Sequence, residues 1–272
     1  MYKHISLSSS SSGNCHLISQ DNGKTYVMLD GGITFKTLQS KLYALDIELQ
    51  QIKGCVITHE HQDHIKIVKD ILVYMPVFGT RGTFEGKPYI DDVNLKIIKQ
   101  GKAFTVGETS VSFIAFDIKH DANEPVNYVF RNSINEYGVY ITDTGEIKLK
   151  LMNIRPTIII IETNFDRDVI EAQIKESMKR VVRDRGYESS YTKRQLEGKF
   201  GHLSVQDAIE VLKTMKLGMC KQILLCHISP SKKYDYFAEM VSKAFDYKYP
   251  VKQLSQFETE ITVIDTKIDI GF

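Results

Sequence analysis

The stretch Ile57-Thr58-His59-Glu60-His61-Gln62-Asp63-His64 decides how this chain is read. Four candidate ligands, His59, His61, Asp63 and His64, fall within six residues, directly after the apolar run Ile52–Thr58. That order predicts a loop at the C-terminal end of a strand. Neutral imidazoles and carboxylates are natural ligands for zinc, manganese or iron. A folded interior would not tolerate so many polar donors together without an ion to neutralise them. The pattern His-x-His-x-Asp-His arises by accident in roughly one chain of this composition in two thousand.

Six residues cannot close two metal sites, so further ligands must come from other strand ends. His120 follows the strand-like run Val111–Phe116, Asp143 ends Val139–Thr142, and His227 ends Gln222–Cys226. All three would project from the same edge as the first cluster. Isolated histidines are usually structural, which is the reading for His4 and His16.

Further strand patterns cover Thr25–Leu29, Val126–Phe130, Thr157–Ile161 and Ile261–Ile264. Ile158–Ile161 is apolar on both faces and should be covered on both sides. Helical stripes lie between the strands. Phe35, Leu38, Leu42, Leu45 and Leu49 form one, and Ile170, Ile174, Met178 and Val181 another, running to about Arg185. A third helix covers roughly Val205–Lys216, with Ser204 as N-cap and Asp207 completing a near capping box. The serine run Ser8–Ser12, followed by Gly13 and Asn14, reads as a loop between the first two strands. The layout predicts one α/β domain over residues 1–272, with two sheets packed together and helices outside.

The 272 residues are 42% hydrophobic and 25% charged, as in an ordinary globular protein. A net charge of +1 implies no global attraction to nucleic acid or an anionic membrane, so such binding needs a local patch. The stretch Lys175–Lys199, with eight basic and four acidic residues, could be that patch or simply a solvated face. Tyr187 and Tyr191 within it could stack on bases or merely pack. Cys15, Cys55, Cys220 and Cys226 form no Cys-x-x-Cys pair and suit buried thiols in a reducing compartment. Met1–Gln20 lacks a signal pattern, and no apolar stretch approaches a membrane span. The expected location is cytoplasmic, without a membrane partner; homo-oligomerisation stays open.

With these motifs the chain resembles metallo-β-lactamase-fold hydrolases. The resemblance implies an αββα sandwich of two mixed sheets, with a dinuclear site at the sheet edges. It would put His59, His61 and His120 on one divalent cation and Asp63, His64 and His227 on the other, with Asp143 bridging. The cations would be Zn2+ or Mn2+. Ser8–Cys15, Leu29-Asp30-Gly31-Gly32, Thr58–Lys66, His120-Asp121-Ala122, Thr142-Asp143-Thr144-Gly145, Glu162-Thr163-Asn164 and Gly201-His202-Leu203-Ser204 occur in that order. Together they resemble the YycJ/WalJ-type exonuclease branch. Departures are Ser10 in place of glycine, Phe165 in place of a histidine, and Ile228-Ser229-Pro230 after His227.

The expected activity is a metal-dependent phosphodiesterase, exonuclease-like, acting on DNA rather than RNA. Two cations about 3.5–4 Å apart can share a hydroxide and clamp phosphoryl oxygens. Asp63 would orient that hydroxide, and His202 would protonate the leaving alkoxide or merely help cap the following helix. The amides of that helix could also hold a phosphate. Asp30 is expected to orient a ligand histidine. Ser11 and Asn14 are candidates for substrate contact, set against an ordinary polar turn, and Asp121 and Glu60 for support or solvation. The alternatives are hydrolysis of a small phosphodiester such as a cyclic nucleotide, and a non-catalytic nucleic-acid-binding scaffold.

Overall fold

The first sheet is built from β1 (Tyr2–Ser10), β2 (Gly13–Ser19), β3 (Tyr26–Leu29), β4 (Ile52–Val56), β5 (Val77–Gly79) and β6 (Leu95–Ile97). The second takes β7 (Ala103–Thr105), β8 (Ser112–Asp117), β9 (Val126–Arg131), β10 (Tyr137–Ile141), β11 (Pro156–Glu162), β12 (Gln222–Cys226) and β13 (Val251–Gln253). The last strand, β14 (Glu260–Ile264), returns to pair with β1. The computed structural model describes residues 2–147, 153–181, 201–229, 234–255 and 258–264, with backbone alone over 177–181. Among these residues each sheet has seven strands, ordered β14-β1-β2-β3-β4-β5-β6 and β13-β12-β11-β10-β9-β8-β7. The strands β3 to β6 run parallel, as do β10 to β13, and the remaining pairs are antiparallel.

The helices are α1 (Phe35–Ala44), α2 (Gln62–Ile65), α3 (Val68–Ile71), α4 (Arg81–Phe84), α5 (Arg167–Val181), α6 (Val205–Lys213) and α7 (Phe237–Ala244). Between the sheets, Leu29, Val56, Phe113, Tyr128, Tyr140, Ile160 and Leu224 form one core. Leu38 and Leu42 of α1 cover the outer face of the first sheet. Ile209 and Leu212 of α6, with Phe237 and Val241 of α7, cover the second. The result is the expected αββα order. The strand β11 is buried at all seven positions because it has sheet on one face and helices on the other. No helix among the described residues is long and apolar enough to cross a membrane.

The boundaries follow local chemistry. The Thr34 hydroxyl accepts from the Thr37 amide and starts α1. That helix stops at Ala44, although Leu45 and Leu49 still pack on the same core. Ser204 and Asp207 form a reciprocal capping box at α6, which ends at Lys213 rather than Lys216. The serine run is a correction: β1 continues to Ser10, and only Ser11 and Ser12 turn. Ser9 pairs with Asn14 and Ser10 with Gly13, while the Ser8 hydroxyl donates to the Gly13 carbonyl. Pairing to β2 thus overrides the weak strand preference of serine. In α5, Ile170 and Ile174 face the core as expected. The side chains of Met178 and Val181, the segment to Arg185, Tyr187 and Tyr191 lie outside the described residues, as does most of the Lys175–Lys199 stretch.

Candidate metal centre

Parallel pairing levels the strand ends. Ile141 pairs with Ile161, and Ile161 with Leu225. Asp143 and His227, each two residues further on, therefore emerge at the same height. Asp30 stands one residue past β3 and His59 three past β4, while His120 lies between β8 and β9. Asp30, Asp143 and His227 all have positive φ, at 55°, 45° and 52°. Such left-handed backbone is unfavourable for side-chain-bearing residues and clusters at functional sites. Here it turns the chain sharply enough to aim each side chain along the edge.

The motif is not wholly a loop. β4 stops at Val56, His61 is the N-cap of α2, and Asp63 and His64 sit in that short helix. Two anchors fix it to the second sheet: the Tyr128 hydroxyl donates to the Ile57 carbonyl at 2.6 Å, and the Val126 amide to the Thr58 carbonyl at 3.0 Å. From the other side, Gly31 donates to the His64 carbonyl and accepts from Ile67. A Cβ on Gly32 would lie 1.7 Å from the Asp63 carbonyl oxygen, so only glycine allows this approach.

His59, His61 and His120 form one group, with ring centroids 4.6–4.8 Å apart. His61 Nδ1 and His120 Nε2 are 3.1 Å apart. His59 is fully buried, and its Nε2 has no hydrogen-bond partner among the described residues. Two donors each about 2.0–2.1 Å from a tetrahedral cation lie about 3.3–3.4 Å apart. The His61–His120 pair is close to that spacing, all three rings offer ligand atoms within 4.8 Å of one another, and a cation would give the orphaned nitrogen a partner. Burial holds the His59 imidazole well below its ordinary pKa, with His64 pushing the same way. Burial likewise lowers His120.

Asp63, His64, Asp143 and His227 form the second group. Asp63 Oδ2 lies 3.4 Å from both His64 Nε2 and His227 Nε2. His64 Nε2 is 2.5 Å from Asp143 Oδ2. On its far side His64 Nδ1 donates to Asp30 at 2.8 Å. The Asp30 carboxylate also accepts from the Thr58 amide and hydroxyl and from the Tyr140 hydroxyl. Burial opposes charge on His64, but Asp143 and Asp30 overcome it and hold the ring well above its usual pKa. His227 is raised in the same way, against burial and chiefly by Asp143, to about 9. Burial would raise Asp63, yet hydrogen bonds from His227 and His64 hold it below the usual carboxylate range. The donor set of this half fits a hard or borderline divalent cation.

His202 reaches the same place. Its Nδ1 is 2.7 Å from Glu162 Oε1 and 3.0 Å from Asp143 Oδ1, and its ring stacks on His227 at 5.3 Å. Glu162 and Asp143 hold it well above the ordinary histidine range despite burial. His202 does not cap α6, because Ser204 does. The α6 amides are a poor phosphate site: Asp207 already bonds the Ser204 amide and pairs with Arg167 at that terminus. A negative ligand there would meet a carboxylate.

Asn14 is buried beside the second group, its Nδ2 3.2 Å from His64 Nε2 and its Oδ1 without a partner. Ser11 is exposed in the β1–β2 turn. Asp121 is half exposed, 3.4 Å from His120 Nε2, and Glu60 accepts from the Asn123 amide. His4 and His16 are buried together between the sheets, 3.3 Å apart, and belong to none of the groups that could hold a metal among the described residues. Phe165 packs in the helix-side core and bridges to Ser204, and Ser10 bridges to Ile228. The Phe165 departure is thus accommodated as packing.

Sequence reasoning gave no role to Glu162. It is fully buried at the end of β11 and also bonds His227 Nδ1 at 2.9 Å. The signal was available: it is the carboxylate that ends the apolar run Ile158–Ile161, as Asp143 follows β10.

A two-sheet sandwich with histidines and carboxylates gathered at its strand ends is the architecture of a metal-dependent hydrolase. A family model described as "Beta-lactamase superfamily domain" matches residues 25–228, and the chain belongs to that superfamily as a metallo-β-lactamase-fold hydrolase. It is 26% identical over 282 aligned positions to the exodeoxyribonuclease WalJ of Streptococcus pneumoniae, covering 98% of this chain and 95% of that protein. It is 25% identical over 251 positions to the exodeoxyribonuclease YycJ of Bacillus anthracis, covering 89% and 88%. The metallo-β-lactamase fold protein YhfI of Bacillus subtilis shares the fold at a TM-score of 0.69 with 14% identity, over 96% of this chain and 99% of that one.

Proposed function

We propose that the whole chain acts as one dinuclear phosphodiesterase, an exonuclease-like enzyme on DNA. The observation that carries this reading is the meeting of His59, His61 and His120 with Asp63, His64, Asp143 and His227 at one edge. His59, His61 and His120 would hold one cation, and Asp63, His64 and His227 the other, with Asp143 between them. Such a pair activates water and neutralises phosphoryl oxygens. Two relatives named exodeoxyribonucleases support a nucleic-acid substrate.

The chain's own residues divide the remaining work. Asp63, partly exposed and held below the usual carboxylate range, orients the attacking water. Asp30 and Glu162 fix the ring planes of His64 and His227 from behind. His202 carries a proton at neutral pH and is steered by Glu162, so it can donate to the leaving alkoxide. Asn14 contributes an amide beside the second group.

The test is an activity panel on metal-reconstituted protein, with linear duplex DNA, single strands, RNA and cyclic nucleotides. Wild type is expected to degrade linear DNA, and Asp63→Ala to lose that activity. Cleavage of cyclic nucleotides alone would replace the reading with a small-phosphodiester hydrolase. DNA cleavage that persists in Asp63→Ala would refute the assigned chemistry.

A further inference from the structure

Both sheets end on the same side of the sandwich, at β6 and β7, and a groove of about 600 Å³ opens there. Its apolar wall includes Phe78, Ile98 and Phe104, and its polar rim is Lys96, Lys99 and Lys102. Among the described residues no aspartate or glutamate lines it. Phe104 is half-buried and stacks on Phe78 at 5.4 Å and 19°, continuing to Phe113 at 5.7 Å and 21°. Lys96 donates to the Val93 carbonyl, while Lys99 and Lys102 are exposed. Phe78 pairs with Val56, three residues before His59, so the groove lies about 10 Å of strand below the level of the metal motif.

A partly exposed aromatic ring beside exposed lysines matches the chemistry of a planar base carrying phosphate. Stacking on aromatic side chains and lysine contacts to the backbone are how single strands are held without sequence preference. The volume exceeds what one nucleotide needs and falls within the usual range for ligand sites. We infer that this groove seats a short run of single-stranded nucleic acid, with a base on Phe104 and phosphates at Lys99 and Lys102. The inference deepens the nucleic-acid reading of the metal centre and rests on it for its purpose, though not for its chemistry. The plainer role for the lysines is to guard two open strand edges against pairing.

Fluorescence anisotropy on metal-reconstituted protein, with a fluorescein-labelled phosphorothioate oligothymidylate that resists hydrolysis, separates these. The double variant Lys99→Glu/Lys102→Glu is expected to bind at least tenfold more weakly. Its salt slope should fall by about 1.4, or about 0.7 for each lost phosphate contact. Phe104→Leu, which keeps the apolar filling, should weaken binding roughly fivefold or more. Both variants should hydrolyse bis(p-nitrophenyl) phosphate at the wild-type rate. Unchanged affinity and slope would overturn the inference and leave the lysines as edge guards. A concentration-dependent dimer in sedimentation velocity that the lysine variants dissociate would overturn it in favour of a second copy. Wild-type protein that degrades DNA while the variants bind normally sinks the groove alone. Groove-dependent binding without hydrolysis of any nucleic acid upholds the groove and sinks the proposed function.

Discussion

The two halves of the metal centre are built on opposite electrostatic plans. His59, His61 and His120 face one another with little carboxylate between them, and burial lowers the pKa of His59 and His120. In the other half, carboxylates interleave with His64 and His227 and raise both. The first half is a set of three imidazoles in which the buried His59 Nε2 has no hydrogen-bond partner among the described residues. The second is internally compensated, and a cation must displace protons to enter it. One edge thus sets a histidine cradle beside a carboxylate-rich one.

The largest effect should come from removing Asp143, the carboxylate proposed to bridge the halves. Asp143→Ala is expected to lower hydrolysis of bis(p-nitrophenyl) phosphate on the order of a hundredfold or more, since even outer partners of ligands reach that level. Equal activity in that variant would break the division into two linked halves. Next, Gly32→Ala drives a methyl group into the Asp63 carbonyl, 1.7 Å away before relaxation. Overpacking of this kind costs about 1–3 kcal/mol, read from denaturant unfolding, and should displace the second half selectively.

Asp30→Asn should weaken one of two metal-binding steps by about 10–100-fold in a chelator competition and leave the other unchanged. Weakening of both steps equally would merge the halves. The pH dependence sharpens the contrast further. His227, near 9 when it faces the carboxylates alone, is protonated at neutral pH and must release that proton to a cation. Affinity of the carboxylate half should therefore rise, by up to about tenfold per pH unit for each proton released, from about pH 7 until about pH 9. The trio, where burial already lowers His59 and His120, should change little over that range. In cation-free protein the sign reverses for stability: the His227 contribution is full below about pH 6.5 and is lost as pH rises through about 9. The smallest effect is expected for Asp121→Ala, a half-exposed partner of His120, at about 0.5 kcal/mol or less.

Much of this centre was legible because its residues sit where strands stop. Runs such as Gln222–Cys226 announce themselves by β-branched and apolar content, and a polar residue directly after them can only lie at a sheet edge. The order of sheets and helices followed from the same runs. What stayed hidden has physical reasons. The short helices α2, α3 and α4 have four residues each, too few to show a period. The strands β5, β6, β7 and β13 have three each and are held by pairing rather than composition. Ser9 and Ser10 belong to β1 through their partners in β2, which a local reading cannot supply. Glu162 was quoted within a motif but not assigned: its place after Ile158–Ile161 marks it as a strand-end carboxylate, but the register that sets it beside His227 is not encoded in spacing. The groove between β6 and β7 joins two sheets and has no counterpart in any single stretch of sequence.

The account is tested most directly by anomalous scattering from a crystal grown with zinc or manganese. Two ions are expected, one on His59, His61 and His120 and one on Asp63, His64 and His227, with Asp143 touching both. A single ion held by Asp143, Glu162, His202 and His227, which also stand close enough to share one, would contradict it.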